Sequence, residues 1–184
     1  IIEESCLDTY LKFDSCCPGH PVRQKTPGIE LNTGALGHGL PVGVGLALSA
    51  KLANKDFKTF ILTGDGELQE GSNWEAAMSA AHFKLDNLIV IVDRNHLQLA
   101  DRTENIMKLT PLDEKWRAFG FDVYETDGNN VSELINTIES IDLTNARPSV
   151  IIAKTVKGKG VSFIENVPAW HHKIPVGEEI PKAI

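Results

Sequence analysis

Two polar segments of this sequence carry residue types that bind metal ions and phosphates, and each directly follows an apolar run. The first is Gly64-Asp65-Gly66-Glu67 and the second is Asp93-Arg94-Asn95-His96-Leu97. Carboxylate, amide and carbonyl oxygens are the ligands that Mg²⁺ and Ca²⁺ prefer. Glycine lets a backbone approach a phosphate with no Cβ in the way. A Gly-Asp-Gly after a strand is often only a tight turn. With an Asn after the next apolar run, the pattern instead favours a metal held by Asp65, Asn95 and one backbone carbonyl, with two diphosphate oxygens and a water completing its shell.

The apolar runs that precede these segments predict two neighbouring parallel strands. Residues 59–63 and 88–92 are continuous apolar stretches bounded by turn residues, which is typical of strands buried on both faces. The pattern of residues 73–84 predicts a helix between them, whose N-terminal N–H groups would face the same space. A βαβ unit of this length makes the two strands parallel, so both polar segments lie at one edge of the sheet.

The remaining chain continues this alternation. We predict helices at residues 112–119 and 131–141, and strands at 123–125 and 149–154. A helix over residues 40–53 is apolar on nearly every face, which predicts that it is buried all round. A short helix is expected within residues 3–13. The fold class is therefore α/β, a three-layer α/β/α arrangement around a mostly parallel sheet, with residues 1–184 forming a single domain.

Composition excludes several classes of function. The net charge of −7 argues against a general nucleic-acid binder, and no apolar run reaches membrane-spanning length. Three cysteines, two of them adjacent, do not form a disulfide pattern, and no signal peptide opens the chain, so we expect a cytoplasmic protein. A zinc site of Cys16, Cys17 and His20 is disfavoured because structural zinc requires four ligands.

The segment GDGELQEGSNWEAAMSAAHFKLDNLIVIVDRN, from Gly64 to Asn95, closely resembles the transketolases. Other thiamine-diphosphate enzymes share its GDG and its Asn but not the residues between them. Four further segments carry the same resemblance, which extends from about residue 17 to residue 175. They are Pro18-Gly19-His20-Pro21, Thr33-Gly34-Ala35-Leu36-Gly37-His38-Gly39, Lys154-Thr155-Val156-Lys157-Gly158-Lys159-Gly160 and Trp170-His171.

This resemblance implies a thiamine-diphosphate-binding fold that holds thiamine diphosphate with Mg²⁺ or Ca²⁺. It implies metal ligands at Asp65, Asn95 and the carbonyl of Leu97, and catalytic roles for His20, His171 and Glu70. His20 would touch the ketose donor, and Glu70 would join a carboxylate network across a subunit contact. The cofactor-binding residues that it implies are Gly34, Ala35, Leu36, Asp65, Gly66, Glu67, Asn95, Leu97 and His171. His38 has two open interpretations, a place beside the cofactor or a cap for the helix that follows it.

The chain most resembles the N-terminal subunit of split transketolases, whose pyrimidine-binding domain lies on a second polypeptide. The resemblance implies an obligate oligomer with this partner, and transfer of a two-carbon ketol unit from a ketose phosphate to an aldose phosphate. The expected activity is EC 2.2.1.1 in the pentose phosphate pathway. Family members carry further elements before the Pro-Gly-His-Pro loop, so an N-terminally incomplete domain is expected. The alternatives are a ketol transferase for a branched or sulfonated sugar phosphate, and a binding subunit that has lost catalysis.

Overall fold

A single sheet of four parallel strands forms the centre of the computed structural model, which describes residues 2–183. Its strand order is β1-β2-β4-β3, so β1 and β3 lie at the two edges. The strands are β1 (Thr59–Gly64), β2 (Leu88–Arg94), β3 (Asp122–Asp127) and β4 (Ser149–Lys154). All four predicted strands are confirmed, and β1 pairs in parallel with β2 as the βαβ interpretation requires.

Four of the six α-helices match the sequence predictions to within a few residues, and the two helices of four residues each were not predicted. They are α1 (Gly39–Leu52), α2 (Gly71–His82), α3 (Thr103–Ile106), α4 (Leu112–Ala118), α5 (Val131–Glu139) and α6 (Ile180–Ala183). Short 3₁₀ segments are Glu4–Thr9, Gly66–Gln69, Pro168–Trp170 and Gly177–Glu179. The helix expected within residues 3–13 is only the first of these 3₁₀ segments, and it buries no residue. Within residues 2–183, no helix has the length and apolar character to cross a membrane.

Helices cover both faces of the sheet, which confirms the three-layer α/β/α arrangement. On one face α1, α2 and α4 pack over a core that includes Leu40, Ala77 and Trp116. On the other face α5 packs through Leu134 and Ile138 against Ile89 and Ile151 of the central strands. The apolar runs of β2 and β4 are therefore buried on both faces, because each of these strands has neighbours in every direction.

The outer side of α1 is exposed to solvent, which corrects the prediction that this helix is buried on every face. Gly43 packs so closely on β1 that a Cβ there would lie 2.4 Å from Ile61 Cδ1. The opposite side of the helix is open, with Val42 40% and Leu46 46% exposed. The prediction of burial on every face was wrong because α1 lies over β1, the edge strand, where no further described element covers it.

The free edge of β1 continues this open apolar surface. Phe60 is 48% and Leu62 73% exposed, on the face of the sheet opposite α1. A groove of about 680 Å³ follows this edge, between β1, the outer side of α1 and the loop of residues 28–33.

The difference between central and edge strands predicts a difference in stability. Replacing Ile151→Ala in β4, where the side chain is fully buried, should lower the free energy of unfolding by about 2–5 kcal/mol, because a cavity remains. Leu62→Ala in β1 should change it by less than about 0.5 kcal/mol. Urea denaturation of both variants measures this, and equal losses would contradict the burial described here.

Candidate metal and diphosphate site

The carboxyl ends of β1 and β2 bring the two polar segments together. Gly64 is paired in register with Asp93, and the N–H of Asp65 donates to the carbonyl of Asp93 over 3.2 Å. Asp65 and Asn95 therefore extend from adjacent strands at the same edge of the sheet, as the sequence predicts. Ligands of open parallel sheets bind at this edge, beyond the carboxyl ends of the strands.

Asp65 is a buried carboxylate, 1% exposed, with three donors around it. Its Oδ1 accepts from the Gly66 N–H at 2.7 Å. Its Oδ2 accepts from the His96 N–H at 2.7 Å and from the Arg94 guanidinium at 3.0 Å. Burial raises the pKa of Asp65, and the His96 amide and the Arg94 charge oppose that rise. The Asp65 carboxylate is therefore shielded from water, and its hydrogen bonds fix its orientation.

The second predicted ligand, Asn95, lies in a tight turn and is 8% exposed. Its Oδ1 accepts from the Leu97 N–H at 3.0 Å, so the side chain closes a local turn. His96 occupies the left-handed region at φ 63°, and its N–H donates to Asp65 Oδ2. His96 thus contacts Asp65 through its backbone. Leu97, 4% exposed, is fixed by a bridge to Arg102.

Gly66 faces Gln98 at very close range. A Cβ at Gly66 would lie 2.8 Å from Gln98 Cβ, so packing within the chain already requires glycine there. Gln98 Oε1 is buried and has no hydrogen-bond partner among the described residues. A carboxamide carries both acceptor and donor atoms, so Gln98 is a candidate ligand-binding side chain beside the anchor that the sequence interpretation missed.

Glu67, predicted to bind the cofactor, is engaged by three donors of the protein. Its Oε1 accepts from the Gly37 N–H at 2.9 Å. Its Oε2 accepts from Thr63 Oγ1 at 2.9 Å and from the Gly64 N–H at 3.2 Å. This carboxylate therefore ties the loop before α1 to the end of β1.

The loop that Glu67 holds carries Gly34, Ala35 and Leu36, all exposed to solvent. Gly34 has φ 118°, and a Cβ there would lie 2.5 Å from His20 Cδ2, so the imidazole of His20 rests directly on Gly34. Glu70 is also exposed and makes no capping bond at the start of α2. These predicted positions form an open surface.

The other predicted histidines lie on separate segments. His171 follows the 3₁₀ segment Pro168–Trp170, and its buried Nδ1 has no described partner. Burial and the nearby charge of Lys157 lower the pKa of His171. His38 makes no side-chain cap to α1, so its capping interpretation was wrong. Its Nδ1 instead lies 3.0 Å from the Leu36 carbonyl, which can only accept.

The donor set fits a hard divalent ion held jointly with an anionic ligand. Within residues 2–183, no group of three or more His, Cys, Asp or Glu side chains could hold a metal, which also removes the zinc interpretation. Asp65 offers one carboxylate, and Asn95 and Leu97 offer neutral oxygens. Since Mg²⁺ and Ca²⁺ take six or more oxygens, a diphosphate and water would have to supply the rest. The residues present fit that arrangement.

Arg94 and Glu104 are parts of the site that the sequence interpretation missed. Arg94 ends β2, and its side chain is 6% exposed between Asp65 and Glu104. An arginine directly after an apolar strand was the available signal, because a buried guanidinium is almost always paired with acids. Glu104, on the short helix α3, had no sequence feature that linked it to Arg94.

Comparison with known proteins identifies the domain. The family model described as "Transketolase, thiamine diphosphate binding domain" matches residues 2–182. An apulose-4-phosphate transketolase subunit from Actinobacillus succinogenes is 58% identical across 100% of this chain and 66% of its own length. The 6-deoxy-6-sulfo-D-fructose transketolase subunit of a Clostridium species is 40% identical over 96% of this chain and 64% of its own length.

A solved structure supports the same conclusion. Transketolase from Campylobacter jejuni superposes with a TM-score of 0.87 at 34% identity, over 97% of this chain and 29% of that one. The chain thus spans slightly less than two thirds of the length of the subunit-type relatives, and under a third of this single-chain transketolase.

The role of Glu67 is testable by one isosteric change. Glu67→Gln replaces one acceptor oxygen by an NH₂ donor, which must face the N–H of either Gly37 or Gly64, so a part-buried hydrogen bond becomes a repulsive contact. We expect the free energy of unfolding to fall by about 1–3 kcal/mol, and the Gly37 amide to exchange faster with deuterium. Glu75→Gln, at an exposed position of α2, is the control. Unchanged Gly37 exchange in Glu67→Gln would contradict this role.

Proposed function

Because this chain belongs to the transketolase family through its thiamine-diphosphate-binding domain, we propose that it is the N-terminal subunit of a split transketolase. The observation that carries the proposal is the meeting of Asp65 and Asn95 at the ends of adjacent parallel strands. The subunit-type relatives, which match over nearly the whole of this chain, support the split organisation.

In this proposal Asp65, Asn95 and the Leu97 carbonyl hold Mg²⁺ or Ca²⁺, and Gly66 and Asn95 contact the diphosphate. Gly34, Ala35 and Leu36 receive the pyrimidine side of the cofactor. When bound, thiamine diphosphate supplies the acidic thiazolium carbon and the electron sink that cleavage of a ketose C–C bond requires. The metal offsets the repulsion between Asp65 and the phosphates, which is strong in so buried a site.

The chain's own side chains would bind and orient the sugar. His20 lies against Gly34 and is exposed, so it can donate to a ketose hydroxyl at the open face of the site. His171 has a buried, unpartnered ring nitrogen, and its lowered pKa keeps it neutral at physiological pH. A neutral imidazole can both donate and accept, as alignment of a sugar hydroxyl or phosphate requires.

A partner must complete this site. His20, Ala35, Leu36 and Glu70 are exposed, so nothing in the described chain shields the cofactor position from water. Reactive carbanion chemistry requires a closed, water-poor site. We therefore propose that a pyrimidine-binding subunit closes this face, with Glu70 at the contact, in an obligate oligomer that contains two chains of each kind.

Apulose 4-phosphate is the favoured ketose donor. Two relatives named for this sugar phosphate, from Actinobacillus succinogenes and Phocaeicola vulgatus, are 58% and 49% identical to this chain. The relative named for 6-deoxy-6-sulfo-D-fructose is 40% identical, and the human transketolase 37%. A pentose-phosphate reaction with xylulose 5-phosphate, EC 2.2.1.1, is the second candidate, supported by the human relative.

Removing the carboxylate should abolish metal-dependent cofactor binding. Asp65→Ala leaves Mg²⁺ without its only carboxylate, and we expect calorimetry to show thiamine diphosphate binding at least about 100-fold weaker, a loss of about 2.7 kcal/mol. Asp101→Ala, in the same loop region and of the same charge change, is the control. Wild-type affinity in Asp65→Ala would contradict the proposed anchor.

Activity should depend on the partner. We expect the purified chain to transfer no ketol unit, and the chain co-expressed with a pyrimidine-domain subunit to be active on apulose 4-phosphate in preference to xylulose 5-phosphate. A coupled assay with each ketose donor and an aldose-phosphate acceptor for the two-carbon unit measures this. Turnover by the single chain would refute the split site, and a preference for xylulose 5-phosphate would favour the second candidate.

A further inference from the structure

Arg94 connects the metal site to a second, outer layer of the protein. Its guanidinium donates to Asp65 Oδ2 and to Thr103 Oγ1, each at 3.0 Å, and to Glu104 Oε1 at 2.8 Å. Thr103 is fully buried and Arg94 nearly so. The guanidinium is planar and its donors form a fixed fork, so three acceptors in three places define its position.

The contacts of Asp65 leave one direction of its carboxylate free. A carboxylate has about four lone-pair directions over its two oxygens. Oδ2 receives two donors, Arg94 and His96, whereas Oδ1 receives only the Gly66 N–H. The one acceptor direction without a described donor therefore belongs to Oδ1. Arg94 occupies the other oxygen, which prevents the carboxylate from rotating to present Oδ2.

Glu104 fixes Arg94 from the far side. Its Oε1 also accepts from the Leu109 and Thr110 amides, each at 3.3 Å, so the acid is held by the loop after α3. Burial opposes its charge, but the hydrogen bonds from Arg94 and Thr110 prevail and lower the pKa of Glu104 to about 2. Glu104 is therefore ionised at physiological pH.

The charges explain why an arginine beside a cation site is tolerated. Asp65 paired with Arg94 alone would be neutral, and a divalent cation would meet an uncompensated guanidinium. Glu104 restores one net negative charge to the cluster of Asp65, Arg94 and Glu104. The pairing of Arg94 with two acids thus preserves attraction for a cation while it fixes the orientation of the ligand.

We propose that Arg94, anchored by Glu104, is a positioning residue that turns Oδ1 of Asp65 toward the divalent metal of the cofactor. The proposal rests on the function proposed above. In this proposal Arg94 raises the affinity of the site for the metal. An ion cluster that only stabilised the fold would leave that affinity unchanged. Outer-shell partners of metal ligands typically contribute about 10–100-fold in affinity.

The test compares Arg94→Met with Arg102→Met. Both remove one arginine charge, but Arg102 is exposed and is not among the described hydrogen-bond or ion-pair partners of Asp65. Calorimetric titration of Mg²⁺ in the presence of thiamine diphosphate should show affinity about 10–100-fold weaker for Arg94→Met and unchanged for Arg102→Met. Arg94→Lys should recover part of the loss, because it restores the charge but not the fork.

Glu104→Gln is a second variant that tests the same role of Arg94 if Arg94→Met does not fold. Glu104 is about 30% exposed, so its neutral isostere is tolerated more easily. It should bind Mg²⁺ more weakly than the wild type, while its metal-free form stays folded with a somewhat lower melting temperature, because the charged partner of Arg94 is lost. Folded Arg94→Met or Glu104→Gln with wild-type Mg²⁺ affinity would overturn the positioning role alone. A wild-type chain that shows no Mg²⁺-dependent cofactor binding even in complex with a pyrimidine-domain subunit would overturn the proposed function, and the inference with it.

Discussion

The buried charge of Asp65 is the constraint on which the arrangement of the site depends. A carboxylate at 1% exposure is stable only when donors replace the water that it has lost. Here the donors come from three places: the amide of Gly66, the turn at His96 and the guanidinium of Arg94. The donors of His96 and Arg94 can reach Asp65 only because β1 and β2 are parallel and in register at Gly64 and Asp93. The buried charge of Asp65 is thus stable only in a sheet in which β1 and β2 are parallel neighbours.

Much of this arrangement follows from the sequence. The apolar runs before Asp65 and Asn95 predict two buried parallel strands, and the position of the polar residues after them predicts that they meet. Both predictions are confirmed because they depend only on local patterns and on the handedness of βαβ units.

Other features depend on contacts that no local pattern contains. Glu67 holds the loop at Gly37, across thirty positions of the chain, and Glu104 reaches Arg94 from a four-residue helix. The exposure of α1 was missed for a related reason: its composition predicts burial, but β1 lies at the sheet edge, and strand order cannot be deduced from the residues of α1 itself. The same open edge and the face at Leu36 and Glu70 are exposed to solvent within the described residues.

The most direct test of the anchor is to locate the metal. Crystals of the chain with its partner subunit, thiamine diphosphate and Mn²⁺ in place of Mg²⁺ would show the ion by anomalous scattering. The account predicts one Mn²⁺ about 2.0–2.4 Å from Asp65 Oδ1, Asn95 Oδ1 and the Leu97 carbonyl, with Arg94 still bound to Asp65 Oδ2. A metal bound elsewhere, or a cofactor diphosphate held with no contact to Asp65, would contradict it.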